Sequence, residues 1–243
     1  MCGLFCTFTT HMALILHIET STPVCSVAVS LDGAVLFSRT EWKGPSHATL
    51  IGPFLDEALR VVELKGQKLD AVAVSAGPGS YTGLRIGVSA AKGVCYALKV
   101  PLIAISTLEL MADTGLRSGS CAAFTGVRPV LDARRMEVYT ALYDLDGRCL
   151  EAPHAQVVEA HTFDVELATG RIVFVGDGTS KLKAVIDNER AGFDEALVPL
   201  AENMAGLAER AYSDQQFVDM AYFEPFYIKD FVATVKKQLI PEK

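Results

Sequence analysis

Apolar and polar positions along the first half of the chain switch period several times, and each switch marks an element. Leu14 to Ile18 is an unbroken apolar run that ends in Glu19-Thr20-Ser21-Thr22-Pro23, residues that favour turns. Val24 to Ser30 alternates with the period of a strand, Asp32-Gly33 is a hairpin signal, and Ala34 to Glu41 supplies the third strand. Gly44-Pro45 breaks the pattern and Ser46 is placed to cap a helix. In that helix Leu50, Ile51, Phe54, Leu55, Ala58, Leu59 and Val62 recur at helical spacing, with Pro53 expected to kink it. Asp70 to Ser75 reads as a buried strand and Ala76 to Thr82 as a glycine-rich turn, before a second helix over Gly83 to Lys99. Pro101 to Ile105 is the next strand, and Ser106 or Thr107 caps a third helix that fades at Gly115.

The order β-β-β-α-β-α-β-α is that of one lobe of an actin-like α/β fold, because doubly wound folds do not open on three sequential antiparallel strands. Leu116 to Phe124 lacks a period and reads as a lobe junction. Beyond it the scheme recurs in reduced form. Arg128 to Ala133, Glu137 to Leu145 and Arg148 to Val158 are strands, with a hairpin at Asp146-Gly147. Arg171 to Val175 is a strand leading through Gly176-Asp177-Gly178 into a helix over Ser180 to Asn188, and Asn203 to Ser213 is a further helix. The expected division is a poorly ordered tail over 1–12, an N-terminal lobe over 13–115 and a C-terminal lobe over 116–243, whose last segment can pack back on the first lobe. Met12 is a more natural start than Met1.

The second helix has an apolar row (Leu84, Val88, Ala91, Cys95, Leu98) and a row of small residues (Gly83, Gly87, Ala90, Val94, Ala97). Together they exceed half the circumference, more than a helix lying on a sheet needs. Either the first helix of the same chain covers the small row, or a partner does. The candidate partner-binding residues are therefore Leu50, Phe54, Gly83, Gly87, Ala90, Val94 and Ala97.

Composition narrows the chemistry. The chain has 243 residues, half of them hydrophobic, and a net charge of −7. That charge argues against unaided nucleic-acid binding. The six cysteines are scattered, which fits a reduced, cytoplasmic protein with no zinc site, and no apolar run is long enough for a membrane span. A strand delivering glycines to a helix start suggests phosphate binding. However, Gly77, Gly79 and Gly83 do not match the dinucleotide spacing, and no Gly-Lys-Ser/Thr follows. The five histidines form no close ligand pair, and His47 reads as an exposed or capping residue at a helix start. Ser80 lacks the Gly-x-Ser-x-Gly spacing of a nucleophile elbow. No catalytic, metal or cofactor residue is expected.

Several stretches together resemble the TsaB (YeaZ-like) family: Ile15-Leu-His-Ile-Glu-Thr-Ser-Thr22, Cys25-Ser-Val-Ala-Val29, Ser75-Ala-Gly-Pro-Gly-Ser-Tyr-Thr-Gly-Leu-Arg-Ile-Gly-Val88, Asp132-Ala-Arg with Glu137-Val-Tyr139, Val175-Gly-Asp-Gly178 and Glu224-Pro-Phe-Tyr-Ile-Lys229. The resemblance covers about Leu14 to Lys229. It implies a non-catalytic subunit of the machinery that makes threonylcarbamoyladenosine beside the tRNA anticodon. Such a subunit binds and activates the catalytic relative TsaD, helps dock the ATPase TsaE, and meets tRNA only indirectly. The first-lobe helices form the implied TsaD interface, and the same face could pair two copies when TsaD is absent. TsaD carries a His-x-x-x-His metal pair where this chain reads Ser106-Thr-Leu-Glu-Leu-Met-Ala112. The competing expectation is an actin-like small-molecule kinase. It needs an Asp-x-Gly-Thr phosphate turn, and Glu19-Thr20-Ser21-Thr22 stands in that place.

Overall fold

The computed structural model describes residues 13–42, 47–119 and 121–229. The expected disorder of Met1 to His11 and the Ser46 cap lie outside these residues. Strand β1 (Leu14–Glu19) is buried along its whole length and is the centre of the first sheet. It pairs antiparallel with β2 (Cys25–Leu31) and parallel with β4 (Ala71–Gly77). Strands β3 (Ala34–Glu41) and β5 (Leu102–Ser106) are the edges, so the order is β3-β2-β1-β4-β5. At the β2–β3 hairpin both turn residues have positive φ, 51° at Asp32 and 72° at Gly33, the conformation a two-residue turn between twisted strands requires.

Alternation along β1 decides what each face meets. Leu14, Leu16 and Ile18 join Val27, Val29, Val72 and Val74 under helices α1 (His47–Leu64) and α2 (Tyr81–Leu98). Ile15 points the other way, with Ala71, Ala73, Ile103 and Ile105.

The second sheet, β8-β7-β6-β9-β10, repeats the pattern of the first. Strand β6 (Gly126–Asp132) is central. Strands β7 (Glu137–Asp144) and β8 (Cys149–Val157) form the meander, and β9 (Ile172–Val175) and β10 (Ala191–Asp194) run parallel to β6. Two lobes with one topology make the actin-like fold. Each sheet is covered partly by the other half of the chain. From α3 (Thr107–Arg117), Leu108, Met111 and Ala112 pack with Val127, Leu131, Val173 and Val175 of the second sheet. From α6 (Ala205–Ser213), Leu207, Ala208 and Ala211 pack on Ile15, Ala73 and Ile103 of the first. The chain then runs back along the first lobe, where Val218 N donates to Leu102 O (2.9 Å) and Phe226 N to Ala76 O (2.6 Å). Lys229 closes this strap by pairing with Glu137 at the start of β7.

Some elements differ from expectation. The helix expected over Ser180 to Asn188 is a five-residue α5 (Thr179–Lys183). Strand β10 and the short α4 (Asp164–Thr169) were not foreseen. The last helical stretch begins as a 3-10 turn over Ala201–Met204. Helix α2 starts two residues earlier than expected, because Ser80 is its cap and its Oγ accepts from Gly83 N at 3.3 Å.

Candidate partner-binding site

The glycines of the β4–α2 segment have a structural cause within the chain. A Cβ at Gly79 would lie 2.4 Å from Ser21 O, one at Gly83 2.1 Å from Thr20 O, and one at Gly87 2.2 Å from Thr20 Oγ1. All three distances are shorter than any real carbon contact, so the first two turns of α2 sit directly on the β1–β2 turn. Ser80 N donates to Ser21 O (2.6 Å) at the same place. The volume that a phosphate cradle would leave open is filled by Thr20 and Ser21.

This packing corrects part of the expected partner set. Gly83 and Gly87 are buried against Thr20, so they do not keep an exposed helix face flat, and a large side chain at Gly87 would meet the chain itself. Phe54 is buried too, beneath the Arg39 guanidinium at 5.6 Å. Leu50, Ala90 and Val94 are half-buried at the edge of the α1–α2 core, and Ala97 is exposed. The small row therefore turns gradually from the interior to the surface as α2 proceeds.

A groove of about 690 Å³ runs between the start of α1 and α2, lined by residues including Ile51, Tyr81, Arg85, Ile86 and Ala90. Arg85 sits over the Tyr81 ring (5.4 Å), and Tyr227 of the strap packs against the same ring, with centroids 4.7 Å apart. Along the exposed face two helix-interior glycines, Gly52 and Gly93, have nothing within 4 Å of where a Cβ would be. Glycine costs a helix roughly 1 kcal/mol relative to alanine, and no contact with the described residues requires it at either position. Neither glycine is among the partner-binding residues expected from the sequence. A glycine at an exposed helix position was the available signal.

Strand β1 itself carries two buried ionisable groups, on the face that Ile15 shares. Glu19 is fully buried, and burial pushes its carboxyl up to about 7, although Ser21 N donates to Oε1 at 2.5 Å. His17 is also fully buried and is pushed down to about 3, so it stays neutral, with Nε2 2.7 Å from Ser30 Oγ. A fully buried carboxyl that holds its proton up to about pH 7 is poorly placed to order a metal-bound water. Burial likewise raises the Cys25 and Cys95 thiols to about 11, which makes them inert packing groups at neutral pH.

His47 also departs from expectation. It is buried, and its Nε2 lies 2.9 Å from Thr22 O and 3.3 Å from Val24 O, tying the start of α1 to the β1–β2 turn. At the second lobe's turn, a Cβ at Gly176 would meet Met111 Cε at 2.3 Å and Val130 O at 2.5 Å. With φ of 112° at Gly176, this is a strand-to-helix turn filled by α3. Ser80 Oγ is engaged in capping. Among the described residues no group of three or more His, Cys, Asp or Glu is arranged to hold a metal ion, and no helix is long and apolar enough to cross a membrane.

Comparison with known proteins agrees with this architecture. The family model described as TsaD, tRNA N6-adenosine threonylcarbamoyltransferase, matches residues 41–237. The tRNA threonylcarbamoyladenosine biosynthesis protein TsaB of Escherichia coli is 32% identical over 233 residues, 91% of this chain and 97% of that protein. TsaB of Bacillus subtilis is 33% identical over 178 residues, 72% of this chain and 75% of that protein. Two Pseudomonas aeruginosa structures superpose at 28% identity. One, described as similar to the peptidase YEAZ, has a TM-score of 0.77 over 90% of this chain and all of its own. The other, described as YeaZ, has a TM-score of 0.73 over 89% of this chain and all of its own. By sequence over nearly its whole length, and by fold, the chain belongs to the TsaB family, within the span of the wider TsaD family model.

Proposed function

We propose that this protein is a non-catalytic subunit in threonylcarbamoyladenosine biosynthesis on tRNA, and that it binds and activates a catalytic TsaD through the exposed face of α1 and α2. The observation that carries the reading is the pair of exposed helix glycines, Gly52 and Gly93, beside the groove. They flatten a surface that nothing in the described chain covers. Two flat helices can approach a second helix pair closely, within about 8 Å between axes. The relatives named for this biosynthesis support the pathway, and the match to a TsaD-type family model supports a related fold as partner. In this reading TsaE docks on the assembled pair, tRNA is held mainly by the partner subunits, the complex is cytoplasmic, and the same face pairs two copies when TsaD is absent. The kinase alternative finds less support, because the first phosphate turn is packed solid against α2.

The test is co-expression with the TsaD of the same genome. Gly93→Arg and Ala97→Arg lie on open surface and should leave the chain folded while weakening co-purification at least ~10-fold, about 1.4 kcal/mol. Retained co-purification in both folded variants would remove α2 from the interface.

A further inference from the structure

On the second lobe, away from α1 and α2, a cavity of about 360 Å³ opens between β8 and α4. It is lined by Arg128, Glu151, Gln156, Phe163, Val165 and Glu166, among others. Arg128 is almost wholly buried, and its Nη2 lies 2.5 Å from both Glu151 Oε2 and Glu166 Oε2. Its guanidinium also stacks over the Phe163 ring at 5.2 Å. One guanidinium thus serves two carboxylates, which leaves one negative charge in excess. His154 Nε2, 3.6 Å from Glu151 Oε1, is the nearest further cation source. Two solvent-inaccessible atoms here have no hydrogen-bond partner, Glu166 Oε1 and Arg128 Nε. A buried acceptor without a donor and a buried donor without an acceptor are each costly.

We infer that this cavity is a binding site for a small aliphatic amine. An ammonium group in the cavity, beside Glu151 and the accessible edge of the Glu166 carboxylate, supplies the missing positive charge. The methylene stem lies along the Phe163 ring and the exposed Val165, as amphipathic stems do. The volume is at the small end of ligand pockets, about 300 to 1,000 Å³, and suits a molecule of the size of putrescine or ethanolamine. This site is separate from the α1–α2 face, so it stands or falls independently of the proposed partner.

The test is calorimetric titration of the whole chain with putrescine and with ethanolamine, and with n-butanol and acetate as probes lacking the ammonium. Saturable millimolar or tighter binding is expected for the two amines only. Glu166→Gln should weaken it at least ~10-fold, the loss typical when a charged partner is removed. Val165→Lys is a second variant at an exposed lip position and places an ammonium in reach of the same carboxylates. It should fold, melt no lower than the parent and exclude putrescine. Absence of saturable amine binding to the parent chain, binding of acetate in its place, or amine binding undiminished in folded Val165→Lys would each overturn the inference.

Discussion

The contact between Gly83 and Thr20 allows a sharp test of what organises the first lobe. Replacing Gly83 by alanine puts a methyl carbon 2.1 Å from Thr20 O, with Thr20 C and Ser80 Cβ both at 3.3 Å. The obstacle is backbone in the turn after the central strand, so no side-chain rotation relieves it. Helix α2 must lift by roughly 1 Å to restore van der Waals contact. That lift loosens Leu84, Val88 and Ala91, all buried on the sheet. Overpacking of this kind costs typically 1–3 kcal/mol. The offsetting gain in helix propensity is below ~1 kcal/mol, since Gly83 lies in the first turn. A net loss of about 2 kcal/mol is expected, which for a chain of this size lowers the melting temperature by roughly 4–8 °C. Gly93→Ala is the internal control, because nothing lies within 4 Å of its Cβ position. It should gain up to ~1 kcal/mol. The assay is urea and thermal unfolding of the isolated chains, followed by circular dichroism. If Gly83→Ala proves as stable as the parent, or if both substitutions shift stability alike, then α2 does not rest on the β1–β2 turn as described.

Other consequences can be measured on the same chain. Burial raises the Glu19 carboxyl to about 7 from 4.5, so the stability it contributes is fully present below pH 4.5 and is lost as pH rises to about 7. Burial lowers His17 to about 3 from 6.5, so its contribution is present above pH 6.5 and is lost as pH falls. Between pH 4.5 and 6.5 the two slopes oppose each other. Glu19→Gln should therefore leave stability rising from acid to pH 6.5 and should raise it at pH 8 by roughly 3 kcal/mol, whereas His17→Gln should expose the opposite slope; pH-resolved urea midpoints check both. Ser80→Ala removes the α2 cap and should cost about 1 kcal/mol by chemical denaturation. Arg128→Met leaves Glu151 and Glu166 without their shared cation and should cost about 3–5 kcal/mol. Adding Glu166→Gln should recover part of that loss, and a double-mutant cycle would show no coupling if the network were unimportant.

Much of the fold was legible because local rules and global topology agree. The Asp32-Gly33 hairpin, the buried β1 and the strand before Gly77 each follow from short-range pattern, and the duplicated order follows from stringing them together. The misses share a different character. Strand β10 is four residues long, carries a glycine and is half-buried throughout, so it has no alternation to detect. His47 is buried because its acceptors, Thr22 O and Val24 O, lie more than twenty residues earlier in the chain. The cation shared at Arg128 joins β6, β8 and α4, and its two carboxylates come from segments whose pairing only the folded lobe reveals.

The small-residue row on α2 shows why a surface is harder to read than a core. Helical spacing placed Gly83, Gly87, Ala90, Val94 and Ala97 on one stripe, and that stripe is real. Whether a stripe faces the interior or a partner depends on how the helix is rolled on its sheet. Here that roll is set by Thr20, whose backbone oxygen presses on Gly83 and whose side chain presses on Gly87. The same roll that buries Gly83 and Gly87 carries Ala97 to the surface and leaves Gly93 in open space. Glycines that the chain needs for its own close packing and glycines that it does not need thus lie on one helix, ten residues apart. The second kind marks the surface. An interior helix glycine with no contact among the described residues lowers stability without return in the isolated chain. Its presence is accounted for if another helix approaches there, and the arginine variants at Gly93 and Ala97 probe that approach directly.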